Sequence, residues 1–181
     1  MSSPSKVFLL PGWQNSGPRH WQSLWEREHG YTRVDQHEWM RPRRGDWIAR
    51  LEEVLLAEPE PAVLVAHSLG CHLVAAWAAH SSNTRLVKCA FLVAPADVER
   101  DEMRSVLPSW SPIPMQALPF KSLLLASQND PYCGFERSQL LGAAWGSAFV
   151  DCGRSGHLNA DTGLDVWPQG HAALQQLLQT P

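Results

Sequence analysis

The sequence predicts an α/β fold in three layers, with a mostly parallel sheet of about six strands between two layers of helices. Short apolar runs of strand length alternate with segments of helical periodicity, which is typical of βαβ units. Most runs are apolar at consecutive positions, as expected of parallel strands buried on both faces. The chain has 181 residues, 44% hydrophobic and 18% charged, so we expect a single domain over 1–181 with a well-filled core.

Local signals place the elements along the chain. The predicted strands are 7–10, 32–37, 62–66, 87–94, 122–126 and 148–150. The predicted helices are 20–29, 46–55, 71–79, 135–145 and 167–179. We expect Asp46 to cap the second helix, and Pro59 and Pro61 to stop it.

In the first part of the chain, turn residues and polarity define the boundaries. The strand 7–10 ends in 11–18, a loop rich in turn residues. Tryptophans at helical spacing define the helix 20–29, and Gly30 ends it. The strand 32–37 is more polar than the others, so we expect it near an edge of the sheet.

The turn between the strand 62–66 and the helix 71–79 has the pattern of a nucleophile elbow. Residues 67–70 read His-Ser-Leu-Gly, and such a turn exposes the serine hydroxyl while the helix behind it favours developing negative charge. In the usual pattern, G-x-S-x-G, the first position is glycine; here it is Ala66, whose small side chain suffices. Ser68 is therefore the candidate nucleophile, and its alternative role is a helix N-cap.

Two further loops follow predicted strands and carry the partners that a serine nucleophile needs. Functional residues of such sheets lie at the carboxyl ends of strands, and Asp130 and His157 both follow strands. A serine hydroxyl needs a base within hydrogen-bond reach, and the base needs an acceptor that fixes its tautomer. The chain order Ser68, Asp130, His157 is a known order for such a triad.

Alternatives to these partners stay open at this point. Asp130 precedes a proline and also suits a plain turn, and the rival acid is Asp97, which follows the strand 87–94. His157 also suits a plain loop position. Three aspartates lie too close in sequence to His157 to follow a separate strand: Asp151, Asp161 and Asp165.

An acyl-transfer reaction also needs amide donors for an oxyanion. The elbow supplies the amide of Leu69, and we expect the loop after the first strand to supply that of Trp13, with Gln14 as the fallback. The connection 95–119 contains five prolines and several apolar residues, and connections of that length are usually functional or mobile. We expect it to cover the site partly and to line a pocket for small or medium uncharged acyl groups, although its apolar residues equally suit the core. The expected substrate-binding residues are Gln14, Trp110 and Met115.

Composition and spacing argue against several other classes of protein. The net charge is −3 and no long basic run occurs, which gives no support for nucleic-acid binding. Neither a signal peptide nor an apolar run of about 20 residues is visible, so we expect no membrane association and a cytoplasmic location. The four cysteines form no CxxC pair and the histidines show no metal-ligand spacing, so we expect free thiols, no metal and no cofactor. His67 and His72 are expected to be packed, hydrogen-bonded side chains, and no protein partner is indicated.

Four segments together resemble the small α/β-hydrolase family of the retinoblastoma-binding protein 9-like serine hydrolases and the bacterial YdeN-like proteins. The matching segments are 10–21, 66–70, 127–132 and 156–170, which read in part LPGWQNSG, AHSLG, SQNDPY and GHLN. The resemblance implies a minimal α/β-hydrolase core without a large cap domain, a Ser-Asp-His triad, and hydrolysis of carboxylic esters through an acyl-enzyme. Two other functions stay open: an interaction module with little turnover, and an acyltransferase on the same scaffold.

Overall fold

The computed structural model describes residues 5–179, and in this range it has one parallel sheet of six strands in the order β2-β1-β3-β4-β5-β6. The strands are β1 (Val7–Leu10), β2 (Thr32–Arg33), β3 (Ala62–His67), β4 (Val87–Val93), β5 (Lys121–Ala126) and β6 (Ala148–Asp151). The helices are α1 (Trp21–His29), α2 (Arg44–Leu56), α3 (Leu69–His80), α4 (Asp101–Val106), α5 (Phe135–Trp145) and α6 (Pro168–Gln179). The predicted fold is confirmed, and the described residues carry no large cap domain.

Helices cover both faces of the sheet because the side chains of each central strand alternate between the two faces. In β3, Leu64 and Ala66 face a core that contains residues of α2, α3 and α5. Val63 and Val65 face the second core, where Trp21 and Trp25 of α1 pack with leucines of α6. Consecutive apolar residues in the sequence therefore serve two different cores, as expected of strands that are buried on both sides.

The structure corrects three details of the predicted elements. The edge strand is only Thr32–Arg33, although it lies at the sheet edge as expected. Asp46 does not cap α2: the helix begins at Arg44, whose amide donates to the Ser109 hydroxyl at 3.1 Å, so a distant segment supplies the cap. No helix is predicted within the connection 95–119, yet it contains α4 and a short 3₁₀ turn, Pro108–Trp110.

The elbow requires a glycine at position 70 because α3 begins directly against the end of β1. A Cβ atom on Gly70 would lie 2.2 Å from the carbonyl oxygen of Leu10 and 3.1 Å from that of Pro11. Both neighbours are backbone atoms, which cannot move aside as the end of a flexible side chain can. The last glycine of the elbow motif is therefore a packing requirement between two backbones.

Gly70→Ala is expected to lower the free energy of unfolding by about 3 kcal/mol, which corresponds to a fall in Tm of roughly 10 °C. Gly45→Ala is the matched control, because a Cβ atom there meets nothing within 4 Å. Alanine is the better helix former, so this control is expected to gain up to about 1 kcal/mol. Thermal unfolding of both variants tests the argument, and a Gly70→Ala protein as stable as wild type would contradict it.

Candidate active site

The side chains that the sequence singled out converge at the carboxyl edge of the sheet. Ser68 follows β3, Asp130 follows β5 and His157 follows β6. Ser68 has φ 55° and ψ −118°, a conformation that residues other than glycine rarely adopt, and it stands directly before the first residue of α3. Its amide donates to the Val93 carbonyl at 2.9 Å, which ties the turn to the neighbouring strand.

Ser68, His157 and Asp130 form one continuous chain of hydrogen bonds. The Oγ of Ser68 lies 3.0 Å from Nε2 of His157, and Nδ1 of His157 lies 2.8 Å from Oδ2 of Asp130. A carboxylate only accepts, so Nδ1 carries the proton, and Nε2 is free to accept from the serine hydroxyl. The side chains of His157 and Asp130 are 9% and 2% exposed, so little water competes for these bonds.

Hydrogen bonds between two loops fix the position of Asp130 relative to His157. Asn129 Oδ1 accepts from the amide of Gly156 at 2.9 Å, and the hydroxyl of Ser127 accepts from the amide of Ser155 at 2.8 Å. Both bonds join the loop after β5 to the loop after β6. The relative position of Asp130 and His157 therefore depends on residues beside them in the sequence.

The rival carboxylates Asp97 and Asp151 have partners other than His157. Asp97 Oδ1 lies 3.6 Å from Nε of Arg137 and accepts from the amide of Glu99 at 3.2 Å. Asp151 accepts from the Gln128 side chain at 2.7 Å. Of the candidate acids, the structure brings Asp130 to the histidine.

The loop after β1 lies against the elbow, as the predicted oxyanion site requires. A Cβ atom on Gly12 would lie 2.9 Å from the Cβ of Ser68 and 3.2 Å from the amide nitrogen of Leu69. The amide of Gln14 donates to the Trp39 carbonyl at 3.1 Å, which removes the fallback donor. Within residues 5–179, the amides of Trp13 and Leu69 donate to no other protein atom. This pair stays the predicted oxyanion site.

A pocket of about 400 Å³ opens above Ser68. Its apolar side includes four residues of the connection after β4: Ala96, Val98, Met103 and Leu107. Its polar side includes six residues: Gln14, Asn15, Ser16, His20, Asn159 and Asp161. The connection 95–119 thus does line the pocket, through α4 and the residues around it.

Two of the three expected substrate-binding residues lie outside this pocket, which corrects the prediction for Trp110 and Met115. Trp110 is buried in the core, where its indole nitrogen donates to the Pro42 carbonyl at 3.0 Å. Met115 is 48% exposed and does not line the pocket. Gln14 does line it.

Sequence reasoning did not predict that Tyr132, or any polar residue other than Gln14, lines the substrate pocket. The ring of Tyr132 lies 4.6 Å from that of His157, with the two planes at 63°, and it borders the pocket. Its amide donates to Asp130 Oδ1 at 2.9 Å, so the aspartate orients this loop as well as the imidazole. The available signal was proximity in the sequence, because Tyr132 lies two residues after Asp130.

Three other buried histidines surround the elbow, and all are held neutral. Burial lowers the pKa of His20 to about 3, with further lowering by the charges of His157 and Arg33. Burial also lowers the pKa of His67 well below its usual range and that of His72 to about 4. Nε2 of His67 donates to the His157 carbonyl and Nε2 of His72 to the Ala96 carbonyl, which agrees with the expected packed side chains.

Within residues 5–179, no cluster of His, Cys, Asp and Glu side chains has the arrangement of a metal site, and the four cysteines are free. None of the helices in this range has both the length and the apolar character that crossing a bilayer requires.

Comparison with known proteins finds serine hydrolases. A family model described as "Serine hydrolase" matches residues 7–176. A YdeN-like hydrolase from Pectobacterium atrosepticum is similar at 32% identity over 95% of this chain and 89% of its own, with a TM-score of 0.79. The ydeN product of Bacillus subtilis is similar at 19% identity over 98% and 100%, with a TM-score of 0.78.

Esterase 2 of Thermogutta terrifontis has the same fold at 19% identity, over 96% of this chain and 82% of its own, with a TM-score of 0.69. None of the curated proteins matches the chain significantly.

Proposed function

The chain belongs to the serine hydrolase family, with YdeN-like hydrolases as relatives, and on that premise we propose that it hydrolyses carboxylic esters of small or medium acyl groups through an acyl-enzyme. The resemblance noted in the sequence is thereby confirmed at the level of the family. The hydrolysed bond and the roles of individual residues belong to the proposal.

One observation carries the proposal: Ser68 Oγ, both ring nitrogens of His157 and the Asp130 carboxylate form an unbroken relay of hydrogen bonds. The relay starts at a serine whose backbone conformation presents the hydroxyl to the pocket. It ends at a nearly buried carboxylate, which stabilises the imidazolium that forms when the base takes the serine proton.

In the first half of the proposed reaction, His157 Nε2 takes the proton of Ser68 as Oγ attacks the carbonyl carbon of the ester. The carbonyl oxygen becomes an oxyanion, which accepts hydrogen bonds from the amides of Leu69 and Trp13. The carbon–oxygen bond to the alcohol then breaks, and the proton on Nε2 passes to the departing alkoxide. Ser68 now carries the acyl group.

In the second half, a water molecule replaces the alcohol. Nε2 of His157 takes one proton from the water as its oxygen attacks the acyl carbon, and the oxyanion forms again in the same place. Collapse breaks the bond to Oγ, and the proton on Nε2 returns to Ser68. The products are one carboxylic acid and one alcohol, and the enzyme is restored.

The pocket supports an uncharged acyl group of limited length. Met103 of α4 and Leu107, the residue after α4, close its apolar side, while the space available is about 400 Å³. Burying apolar acyl carbons there releases ordered water and favours binding by about 0.8 kcal/mol for each methylene group. A charged acyl group would lose hydration without gaining a partner on that side.

A fluorophosphonate probe and a set of p-nitrophenyl esters test the proposal together. We expect the probe to label the protein at a single peptide that contains Ser68, as identified by mass spectrometry. We expect kcat/KM to rise from acetate to butyrate and to fall for long acyl chains, which exceed the pocket. A protein that is neither labelled nor active on any of these esters would contradict the proposal.

A further inference from the structure

The loop that carries His157 has an unusual backbone. His157 lies between Gly156, with φ 53°, and Leu158, with φ 48°, and a positive φ at a leucine is unfavourable. Such a conformation persists only where surrounding contacts impose it. The contacts that hold this loop therefore decide where the imidazole points.

Two ring N–H groups hold consecutive carbonyl oxygens of that loop. Nε2 of His67 donates to the His157 oxygen at 2.9 Å, and the indole nitrogen of Trp21 donates to the Leu158 oxygen at 2.8 Å. Both donors belong to elements more than 80 residues away in the sequence, β3 and α1. They approach from the face of the sheet that α1 and α6 cover, so the loop is held from behind the site.

The position of His67 follows from the strand that presents it. It is the last residue of β3, directly before Ser68, and the alternation of side chains places it on the same face as Val65. The nucleophile and the donor to the His157 carbonyl are thus consecutive residues: His67 ends β3 and Ser68 follows it in the elbow. A shift of His67 relative to Ser68 would require the end of the strand and the elbow to deform.

The ring of His67 is packed on both sides. Its centroid lies 4.6 Å from that of His20 and 4.8 Å from that of His157. Burial lowers the pKa of His67, and positive charge at His20 or His157 would lower it further, so the ring is neutral. A neutral ring still donates through Nε2, and it places no positive charge beside the imidazolium that His157 becomes during the reaction.

We infer that His67 is a positioning residue for the base: its N–H holds the main-chain carbonyl of His157 and sets the distance from the imidazole to Ser68. The inference rests on the proposed function, because positioning has a kinetic consequence only where His157 acts as the base. His67 itself contacts no reacting atom in this role. A displacement of the reacting groups by about 1 Å can cost about 10²-fold in rate.

The test compares variants of His67 that keep or remove an N–H group at the position of Nε2. His67→Phe keeps a ring of similar size and loses the donor, whereas His67→Gln places an amide N–H near the position of Nε2. We expect the phenylalanine variant to lose about 10- to 100-fold in kcat with little change in KM, and the glutamine variant to recover most of that loss. Should the phenylalanine variant not fold, His67→Asn replaces it, because its amide is too short to reach the carbonyl.

Trp77→Phe is the stability control. Trp77 is fully buried near the far end of α3 and donates to Glu52 of α2, so its replacement removes a partly buried hydrogen bond without touching His157. We expect this control to lower Tm but to keep kcat per folded molecule. Wild-type kcat in His67→Phe, or equal losses in the glutamine and phenylalanine variants, would overturn the inference while leaving the proposed function intact. A wild-type protein that no fluorophosphonate labels would overturn both.

Discussion

Ser68→Ala is expected to lower kcat for p-nitrophenyl esters by about 10⁵-fold or more. Alanine has no oxygen to form the acyl-enzyme, and the remaining amides of Leu69 and Trp13 give only weak assistance to direct attack by water. Labelling by a fluorophosphonate should disappear as well. The measurement is steady-state turnover of a butyrate ester, with active protein quantified by its folded fraction.

Ser122→Ala provides the matched control for that substitution. Ser122 is buried in β5, and its hydroxyl lies 2.7 Å from that of Ser147, away from the pocket. The control removes the same oxygen atom from the same residue type, and we expect wild-type turnover and labelling. Turnover in Ser68→Ala within tenfold of wild type would exclude Ser68 as the nucleophile.

Asp130→Asn is expected to lower kcat by about 10⁴-fold while leaving the fold and KM nearly unchanged. The carboxylate accepts the proton on Nδ1 of His157, and this bond keeps Nε2 free to accept from Ser68. An asparagine can turn its NH₂ group toward Nδ1, which favours the tautomer with the proton on Nε2. That tautomer cannot take the serine proton, so the base is lost although every heavy atom stays in place.

The control for Asp130 is the same substitution at the rival acid. Asp97→Asn changes a carboxylate that faces Arg137 at 3.6 Å and has no contact with His157. We expect it to retain turnover within about threefold of wild type, since a weak, partly exposed ion pair contributes little. A large loss in Asp97→Asn together with normal turnover in Asp130→Asn would reverse the assignment of the acid.

The relation between Ser68, Asp130 and His157 could be predicted because it depends on topology more than on detail. Apolar runs identified the strands, and parallel strands bring their carboxyl ends to one edge of a sheet. Residues in the loops after β3, β5 and β6 therefore lie at one edge of the sheet, and the loops after β5 and β6 bring Asp130 and His157 to Ser68. Ala66 in place of glycine caused no difficulty, because its methyl group packs into the core beneath the elbow.

The sequence by itself determined the α/β class, the order of the six strands along the chain and the elbow at Ser68, and it named Asp130 and His157 as the leading candidates for its partners. These depend on local periodicity, on turn residues and on which residue follows a strand. Trp110 lay beyond such reasoning, because an apolar residue in a long connection suits a pocket wall or the core equally well.

Only the tertiary structure decided that Trp110 belongs to the core and not to the pocket wall, because its indole nitrogen donates to the Pro42 carbonyl. Only the tertiary structure also shows that Ser109 caps α2 and that His67 donates a hydrogen bond to the His157 carbonyl. In each pair one of the two partners is a backbone group, and the partners lie in distant parts of the chain. Any residue carries such a group, so no pattern of side chains in the sequence marks it, and only packing brings it into place.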